Sequence, residues 1–273
     1  MIPRRVAALL SVGALVLLGA AAVNAPEHLA DANMALSYAT PSAVWPFGAD
    51  QRGRTLLEYA QQGARVILVP AIVAGIAVGF MGVIGGLLRC VGSPRVDAVV
   101  QAFSEVVGSL PRMVVILVVA LVLPAGSRGL LPLGLTWAVL ASPGAMDEAA
   151  SVAERLGGAR FVEALRAHGF SWSRVHLYHI VGLNLRPVVV RQAAEVTMQV
   201  TFLELALSYL ASVENQSSFT HPDNLHSWAD LLQMGYPSLV LDVPTGHALV
   251  LGLALVGLIT IMTLFVSSAV RSR

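Results

Sequence analysis

Residues 161–182 read Phe-Val-Glu-Ala-Leu-Arg-Ala-His-Gly-Phe-Ser-Trp-Ser-Arg-Val-His-Leu-Tyr-His-Ile-Val-Gly. They are a polar, basic island in a strongly apolar chain, and Gly169 interrupts a segment that otherwise has a helical pattern. Glycine adopts positive φ readily, so Gly169 predicts a sharp turn, at a point where a Cβ would clash. Together with the residues before it, the pattern predicts two short helices, Glu148–Leu156 and Arg160–His168, broken by Gly157-Gly158 and Gly169. Such a helix–glycine–helix finger can protrude from the membrane and seat in a cleft of a partner.

The composition is that of a membrane protein. The chain has 273 residues, of which 56% are hydrophobic and 12% charged, and its mean hydropathy is +0.74. A soluble domain carries about 25% charged residues. The net charge of +1 gives no reason to expect a nucleic-acid partner.

Six stretches are candidates for membrane-spanning helices, because such a helix needs about 20 predominantly apolar residues. Four of them are uncharged runs, 6–26, 66–88, 129–146 and 243–270. The other two are 99–124, whose purely apolar part is short, and 187–212, which carries Arg191, Glu195 and Glu204. The sequence therefore predicts an all-α, polytopic membrane protein with six transmembrane helices.

The first apolar run has two interpretations. Basic residues, an apolar stretch and Val23-Asn24-Ala25 before Pro26 are typical of a cleavable signal peptide. The apolar part, 6–23, is longer than the 7–15 residues of a typical leader core, which favours a retained anchor. We therefore predict an N-terminal anchor helix over 1–26 and a first periplasmic loop over 27–64, and the next segment faces outward in both interpretations.

The arginines predict the orientation of these spans, because basic residues accumulate in cytoplasmic loops. They lie before span one, after span two, between spans four and five, and at the end of the chain: Arg4, Arg5, Arg89, Arg95, Arg155, Arg160, Arg166, Arg174, Arg271 and Arg273. The outer loops also contain four arginines, Arg52, Arg54, Arg65 and Arg128. Both termini are predicted to be cytoplasmic, with an inward loop over 147–182 and a second periplasmic loop over 213–242.

A second informative stretch lies in the first loop. Residues 45–55 read Trp-Pro-Phe-Gly-Ala-Asp-Gln-Arg-Gly-Arg-Thr. Glycine and aspartate together predict a tight turn. Within such a turn Asp50 and Arg54 are close enough to pair.

Residues 161–182 resemble the EAA coupling signature of bacterial ABC importer permeases, which reads Glu-Ala-Ala, three residues, Gly, ten residues, then Ile-Leu-Pro. The positions that match with this spacing are Glu163, Ala164, Gly169 and Ile180. Leu165 replaces the third alanine, and Val181-Gly182 replace Leu-Pro. In that family this segment receives force from a cytoplasmic ATPase.

The outer stretch resembles the Phe-Gly-Thr-Asp-x-x-Gly-Arg-Asp motif of the dipeptide/oligopeptide/nickel branch of that family. The matching positions are Phe47, Gly48, Asp50, Gly53 and Arg54, whereas Ala49 and Thr55 depart from the motif. Residues 204–210 resemble the family's Glu-Ala-Ala-Leu-Ser-Phe-Leu. The resemblance runs in order from about residue 45 to 235 and is that of a divergent second, C-type permease.

The resemblance implies a type I ABC importer permease bundle over 65–273, in the bacterial cytoplasmic membrane. The implied partners are a homologous permease in a heterodimer, two cytoplasmic ATPase domains, an external solute-binding protein and membrane lipid. This chain would form half of the pathway for a peptide, a nickel or other metal chelate, or a related small solute. It would bind no cofactor itself, since ATP and Mg would be bound by the ATPases, and its sequence has no Walker A loop.

Three acids are candidates for the pathway or a subunit interface: Glu204, Glu195 and Glu105. An ionisable residue inside a span is a functional candidate by default. Glu195 and Glu204 project about 180° apart on a helix, so they cannot line the same wall. Arg112 and Arg191 are both possible counter-charges. The three acids also leave an alternative function open, that of an intramembrane enzyme or assembly factor.

Two further patterns bear on packing and on metals. The second span contains Gly75-x-x-x-Gly79 and Gly82-x-x-x-Gly86, and this spacing allows two helix backbones to approach closely in lipid. The single cysteine, Cys90, excludes an intrachain disulfide. His221 and His226 have a weak ligand spacing without a second pair, so we predict ordinary loop histidines and no metal site.

Overall fold

The computed structural model describes residues 4–91, 94–124, 127–157, 160–171, 174–175, 184–213, 218–222, 225–241 and 244–271. The helices are α1 (Arg4–Val23), α2 (Leu56–Val91), α3 (Pro94–Ser109), α4 (Arg112–Val122), α5 (Leu130–Gly157), α6 (Arg160–Ala167), α7 (Arg186–Val213), α8 (Trp228–Gly235) and α9 (Gly246–Arg271). Short 3-10 helices occupy Met34–Leu36 and Tyr236–Leu239. Extended pairing within these ranges is limited to an isolated antiparallel bridge between Ala49 and Thr55. The all-α prediction is confirmed for the described residues.

The 36-residue helix α2 is the central element, and it packs along both α5 and α7. A Cβ on Gly75 would lie 2.7 Å from the carbonyl oxygen of Ala193 in α7. A Cβ on Gly86 would lie 2.5 Å from the Cβ of Ala149 in α5. These distances are too short for any side chain, so the predicted role of the Gly-x-x-x-Gly pairs in close packing is confirmed.

Two of the three apolar clusters among the described residues include α2. The first joins the second half of α2 to α4, α5 and α7 through buried residues such as Leu133, Trp137 and Val200. The second joins the first half of α2 to α1, α8 and α9 around Ile67, Trp228 and others. Thus α2 holds the two groups of helices together.

The first loop is shorter than predicted, because α2 begins at Leu56 and not after residue 64. Leu56, Tyr59 and Ala60 are buried at helical spacing, whereas Leu57 is exposed and Glu58 is half-buried. This first turn is amphipathic, so a search for uncharged runs does not detect it. The second predicted loop, 213–242, also contains a helix, α8.

The third predicted span is not one straight helix. It consists of α3 and α4, which meet at an angle of 80°. Pro111 precedes α4 and has no backbone N–H group. A residue before proline is also disfavoured in the α conformation, which explains why α3 stops at Ser109.

Two of the described helical stretches are long and apolar enough to cross a membrane, Leu56–Arg89 and Gly246–Ser267. The bent pair α3–α4 makes a third if it is taken as one span. Helices α5 and α7 have 28 residues each but are more polar, and the apolar part of α1, Leu9–Val23, is shorter. The topology with six spans and two cytoplasmic termini therefore remains a prediction.

Candidate functional site

The turn over residues 47–55, which the sequence predicts to lie outside the membrane, lies directly before α2 and is organised by Asp50. One carboxylate oxygen of Asp50 accepts hydrogen bonds from the backbone N–H groups of Arg52 and Arg54, both at 2.8 Å. The other oxygen accepts a hydrogen bond from the Tyr59 hydroxyl at 2.9 Å. Because Asp50 is only 5% exposed, this carboxylate fixes the turn and joins it to the start of α2.

The two glycines of this turn are required by its backbone. Gly48 and Gly53 have φ angles of +87° and +71°. A Cβ on Gly48 would lie 2.6 Å from the carbonyl oxygen of Ala39, and one on Gly53 only 1.9 Å from that of Asn33. Glycine is therefore needed at both positions for torsion and for space.

The predicted proximity of Asp50 and Arg54 is confirmed, although the bond that the structure gives between them uses the Arg54 backbone N–H group rather than its guanidinium. Phe47 packs, partly buried, against the core cluster around Trp228. Ala49 departs from the family motif and is 1% exposed, in the bridge with Thr55. A cavity of about 490 Å³ lies beside the turn, where its lining includes Asp50, Gln233 and His247.

Residues 160–171, which the sequence predicts to couple to an ATPase and which we call the coupling segment, contain α6 and the turn that ends it. Gly169 has a φ of +81°. The Phe170 N–H group donates to the Leu165 carbonyl at 3.1 Å, and the His168 N–H group donates to the Ala164 carbonyl at 3.0 Å. The first bond, together with a left-handed glycine, is the signature of a Schellman helix end. The predicted turn at Gly169 is confirmed.

The predicted steric reason for that glycine is wrong. Apart from Gly169 and its two chain neighbours, no atom of the described residues lies within 4 Å of an ideal Cβ built on Gly169. The requirement for glycine comes from the backbone torsion alone, because left-handed φ is unfavourable for residues with a Cβ. This distinction matters for choosing substitutions at this position.

The surface of the coupling segment is open. Glu163, Ala164 and Gly169 are exposed, and Leu165 is half-buried. The guanidinium of Arg174 lies over the Phe170 ring, 5.1 Å from its centroid. The Arg166 side chain and residues 176–183, which include Ile180, lie outside the described residues.

The prediction of a separate short helix over Glu148–Leu156 is wrong. Residues 148–156 belong to α5, which continues without a break to Gly157. Apolar residues of this stretch, among them Ala149 and Ala153, pack against Leu185 and Val188 next to and within α7. Burial on one face extends α5 by about three turns beyond the uncharged run, which ends at residue 146.

The three candidate acids have different environments. Glu204 is fully buried and accepts a hydrogen bond from the Ser208 hydroxyl at 2.7 Å. The Ser208 hydroxyl in turn lies 2.9 Å from that of Thr220. Glu195 and Glu105 are exposed, and each accepts a bond from a glutamine one turn away on its own helix. The predicted opposite orientation of Glu195 and Glu204 is confirmed.

The prediction that Arg191 is a counter-charge for one of the three candidate acids is wrong. Its guanidinium pairs with Glu148 of α5, and the side-chain amide of Gln192 donates to the same carboxylate at 2.7 Å. Arg112 is exposed at the start of α4. Sequence reasoning missed Glu148 because its partners lie 43 and 44 residues away.

Sequence reasoning also missed the packing of α8 against the first half of α2, at the end of the bundle that carries the turn over residues 47–55. The indole N–H of the fully buried Trp228 donates to the Ala60 carbonyl at 2.9 Å. Gln62 is 1% exposed and bonds to the Pro26 carbonyl and the His226 N–H group. The signal was present, because Ser227 and Asp230 form a capping box, and that four-residue pattern predicts a helix start.

His221 and His226 have separate environments within the second outer loop. The His226 ring lies 3.0 Å from a carboxylate oxygen of Asp230, and one ring nitrogen of His221 lies 3.1 Å from the Pro222 carbonyl oxygen. Among the described residues there is no group of three or more histidines, cysteines and acids that could hold a metal ion.

Comparison with known proteins gives one partial relative. No protein-family model matches the chain. Over 80 residues the chain is 34% identical to the dipeptide transport system permease protein DppC of Lactococcus lactis subsp. cremoris (strain MG1363). The matched segment is 29% of this chain and 23% of the relative. The chain is thus similar to part of a transport permease.

Proposed function

We propose that this chain is a permease subunit of a bacterial ATP-driven importer of the ABC class. It would form half of a translocation pathway in the cytoplasmic membrane, with a homologous permease forming the other half. Two cytoplasmic ATPase domains would bind ATP and Mg, and an external solute-binding protein would deliver the cargo. This chain would act as a transporter subunit and not as an enzyme.

The observation that carries the proposal is the coupling segment. It has a short helix, exposed Glu163 and Ala164, and a left-handed Gly169 that ends the helix. Its sequence resembles the EAA coupling signature of such permeases. A compact helix with a fixed end can enter a cleft without first paying the entropy of ordering.

Two further observations support the same class of protein. The partial relative carries the name of a dipeptide transport permease, so a peptide is the first cargo that we propose, and a nickel or other metal chelate is the second. The glycines of α2 permit helix contacts that are typical of membrane bundles. Both observations agree with the proposal of a multi-pass protein in the bacterial inner membrane.

The alternative function, an intramembrane enzyme or assembly factor that uses Glu105, Glu195 and Glu204, has less support. Such a site needs carboxyl groups that converge on one cavity. Glu105 and Glu195 are exposed, whereas Glu204 is fully buried and bonded to Ser208. The three groups therefore do not share one environment.

Copurification tests the proposal. The tagged chain is isolated from its own host in mild detergent, and the preparation is assayed for ATP hydrolysis and for associated proteins. We expect an ATPase, a second permease and vanadate-sensitive ATP hydrolysis. A preparation that contains the intact chain without any nucleotide-binding subunit would contradict the proposed function.

A further inference from the structure

Two adjacent acids of α5, Asp147 and Glu148, form ion pairs with arginines of α2 and α7, about three turns before α6. They lie at the end of the bundle that carries α6. Here α2 ends at Val91, α5 ends at Gly157 and α7 begins at Arg186.

Asp147 connects α5 to α2 and α3. The Arg89 guanidinium, near the end of α2, pairs with Asp147. The Nε of the same guanidinium donates to a carboxylate oxygen of Asp97 in α3 at 3.3 Å. The Arg89 side chain is 20% exposed, so one partly buried cation holds two carboxylates from two other helices.

Glu148 connects α5 to α7. One of its carboxylate oxygens accepts hydrogen bonds from the Arg191 guanidinium and, at 2.7 Å, from the Gln192 amide. The Glu148 and Arg191 side chains are 28% and 21% exposed. Two donors on successive residues of α7 thus hold one carboxylate.

Small residues make part of the apolar contact between α2 and α5 at this level, where Gly82 and Gly86 lie against Ala145 and Ala149. The Met146 side chain of α5 lies beside Gly85 and is unbranched and flexible. These contacts allow the two helices to approach closely but do not by themselves fix the rotation of α5. Adjacent residues on a helix project about 100° apart, so Asp147 and Glu148 can hold α5 from two sides.

We propose that Asp147 and Glu148 form an ionic clamp, with Arg89, Asp97 and Arg191 as its other members, that makes α5 move as one body with α2, α3 and α7. Since α6 begins three residues after α5 ends, a force applied to α6 reaches the clamped helices through α5. Asp147 and Glu148 are then positioning residues for coupling. This role in coupling rests on the proposed function, whereas the clamp itself does not.

The clamp is expected to affect geometry more than stability. Partly exposed ion pairs contribute little to the free energy of unfolding. Their effect on register and orientation is their best-attested role. Uncharged replacements should therefore leave the protein folded while they release α5 and α6 from the neighbouring helices.

Distance measurement between spin labels tests the clamp in the full-length chain in lipid nanodiscs. The labels are placed on exposed positions of α3 and α6, as Ala98→Cys and Ala164→Cys, after Cys90→Ser. We expect one narrow distance distribution in the parent and a broader one with Asp147→Asn or Glu148→Gln. The matched control is Glu154→Gln, an exposed acid on the same helix, which should leave the distribution narrow.

Charge exchange separates the clamp from a general loss of structure. Glu148→Arg combined with Arg191→Glu restores the opposite charges, so the distribution should become narrow again. In the copurified complex, ATP hydrolysis stimulated by the solute-binding protein should fall about 2- to 30-fold in Glu148→Gln, because substitutions within coupled networks change the coupling by this amount. The stimulated hydrolysis should recover in the exchange variant.

Distributions that stay narrow in Asp147→Asn and Glu148→Gln would overturn the clamp. A lower melting temperature with an unchanged distribution would also overturn it, because the pairs would then be merely stabilising. A parent preparation without an ATPase would contradict the proposed function and leave the distance result valid. The two failures are therefore distinguishable.

Discussion

Asp50 illustrates at the residue scale how one carboxylate can organise a turn. It accepts hydrogen bonds from two backbone N–H groups and from the Tyr59 hydroxyl while it is almost completely buried. We predict that Asp50→Ala lowers the free energy of unfolding by about 1–3 kcal/mol or more, because it leaves buried donors without an acceptor. The measurement is the thermal unfolding of the purified chain in detergent.

Asp31→Ala is the matched control for that substitution, since Asp31 is an exposed acid in the same loop. It should change the unfolding midpoint very little. Tyr59→Phe removes only one of the three bonds to Asp50, so it should fall between the two. Equal effects of Asp50→Ala and Asp31→Ala would contradict the role given to Asp50.

Glu204 is the buried acid whose environment the structure defines. Its bond to Ser208, which contacts Thr220, ties α7 to the second outer loop. We predict that Glu204→Leu destabilises the protein by about 1–3 kcal/mol, because the Ser208 hydroxyl loses an acceptor in a buried site. Glu204→Gln keeps an acceptor oxygen and should be milder.

Glu195 provides the comparison for Glu204, because it lies on the same helix and is exposed. Glu195→Leu and Glu195→Gln should leave the unfolding temperature close to that of the parent. Uptake assays on the same four variants test transport separately from stability. Greater damage at Glu195 than at Glu204 would show that the exposed acid carries the function.

Local backbone chemistry could be predicted at single residues, whereas pairs between distant residues could not. The turn at Gly169 and the turn around Asp50 both follow from glycine and aspartate within a few positions. The Glu148–Arg191 pair joins residues 43 positions apart. The Glu148–Arg191 pair forms because α2 packs along both α5 and α7 and brings them together. The positions of α5 and α7 relative to each other cannot be predicted from a local sequence pattern.

At the scale of elements, the glycines of α2 set the distance to its two neighbours. A Cβ on Gly86 would lie 2.5 Å from that of Ala149 and 2.9 Å from the Ala150 nitrogen. We predict that Gly86→Ala costs about 1–3 kcal/mol through overpacking, despite the better helix propensity of alanine. Thermal unfolding again provides the measurement.

Gly257→Ala in α9 is the control for Gly86→Ala. Among the described residues, no atom outside the backbone of α9 itself lies within 4 Å of a Cβ at Gly257. Alanine is favoured over glycine in a helix by about 0.5–1 kcal/mol, so this substitution should be neutral or stabilising. Destabilisation of the same size at both glycines would contradict a role for close packing.

Helix ends were harder to predict than helix positions, for identifiable reasons. The start of α2 is amphipathic, so its first nine residues were assigned to a loop. The break between α3 and α4 depends on Pro111, which acts locally. The 80° angle between the two helices, in contrast, depends on how they pack. The continuation of α5 to Gly157 reflects one buried face against α7, which is a tertiary effect.

At the scale of the whole molecule, the number and direction of the spans are the open prediction. Two described helical segments, or three with the bent pair α3–α4, are long and apolar enough to cross a membrane. Helices α5 and α7 can be spans only if their polar residues are buried in the bundle. A reporter fused after Arg174 should be cytoplasmic, and one fused near Asn224 should be external. Both reporters on the same side of the membrane would end the six-span topology.

The central claim is that the coupling segment contacts an ATP-binding subunit. The most direct measurement is site-specific photo-crosslinking from Ala164, an exposed residue of α6, with the exposed Trp45 of the first loop as control. We predict that Ala164→p-benzoylphenylalanine crosslinks to an ATP-binding protein and that Trp45→p-benzoylphenylalanine does not. Gly169→Val should abolish the crosslink, whereas Gly169→Asn should retain it, because asparagine tolerates left-handed φ better than other residues with a Cβ. An absent crosslink from Ala164, or the same ATP-binding protein captured from both positions, would contradict the account.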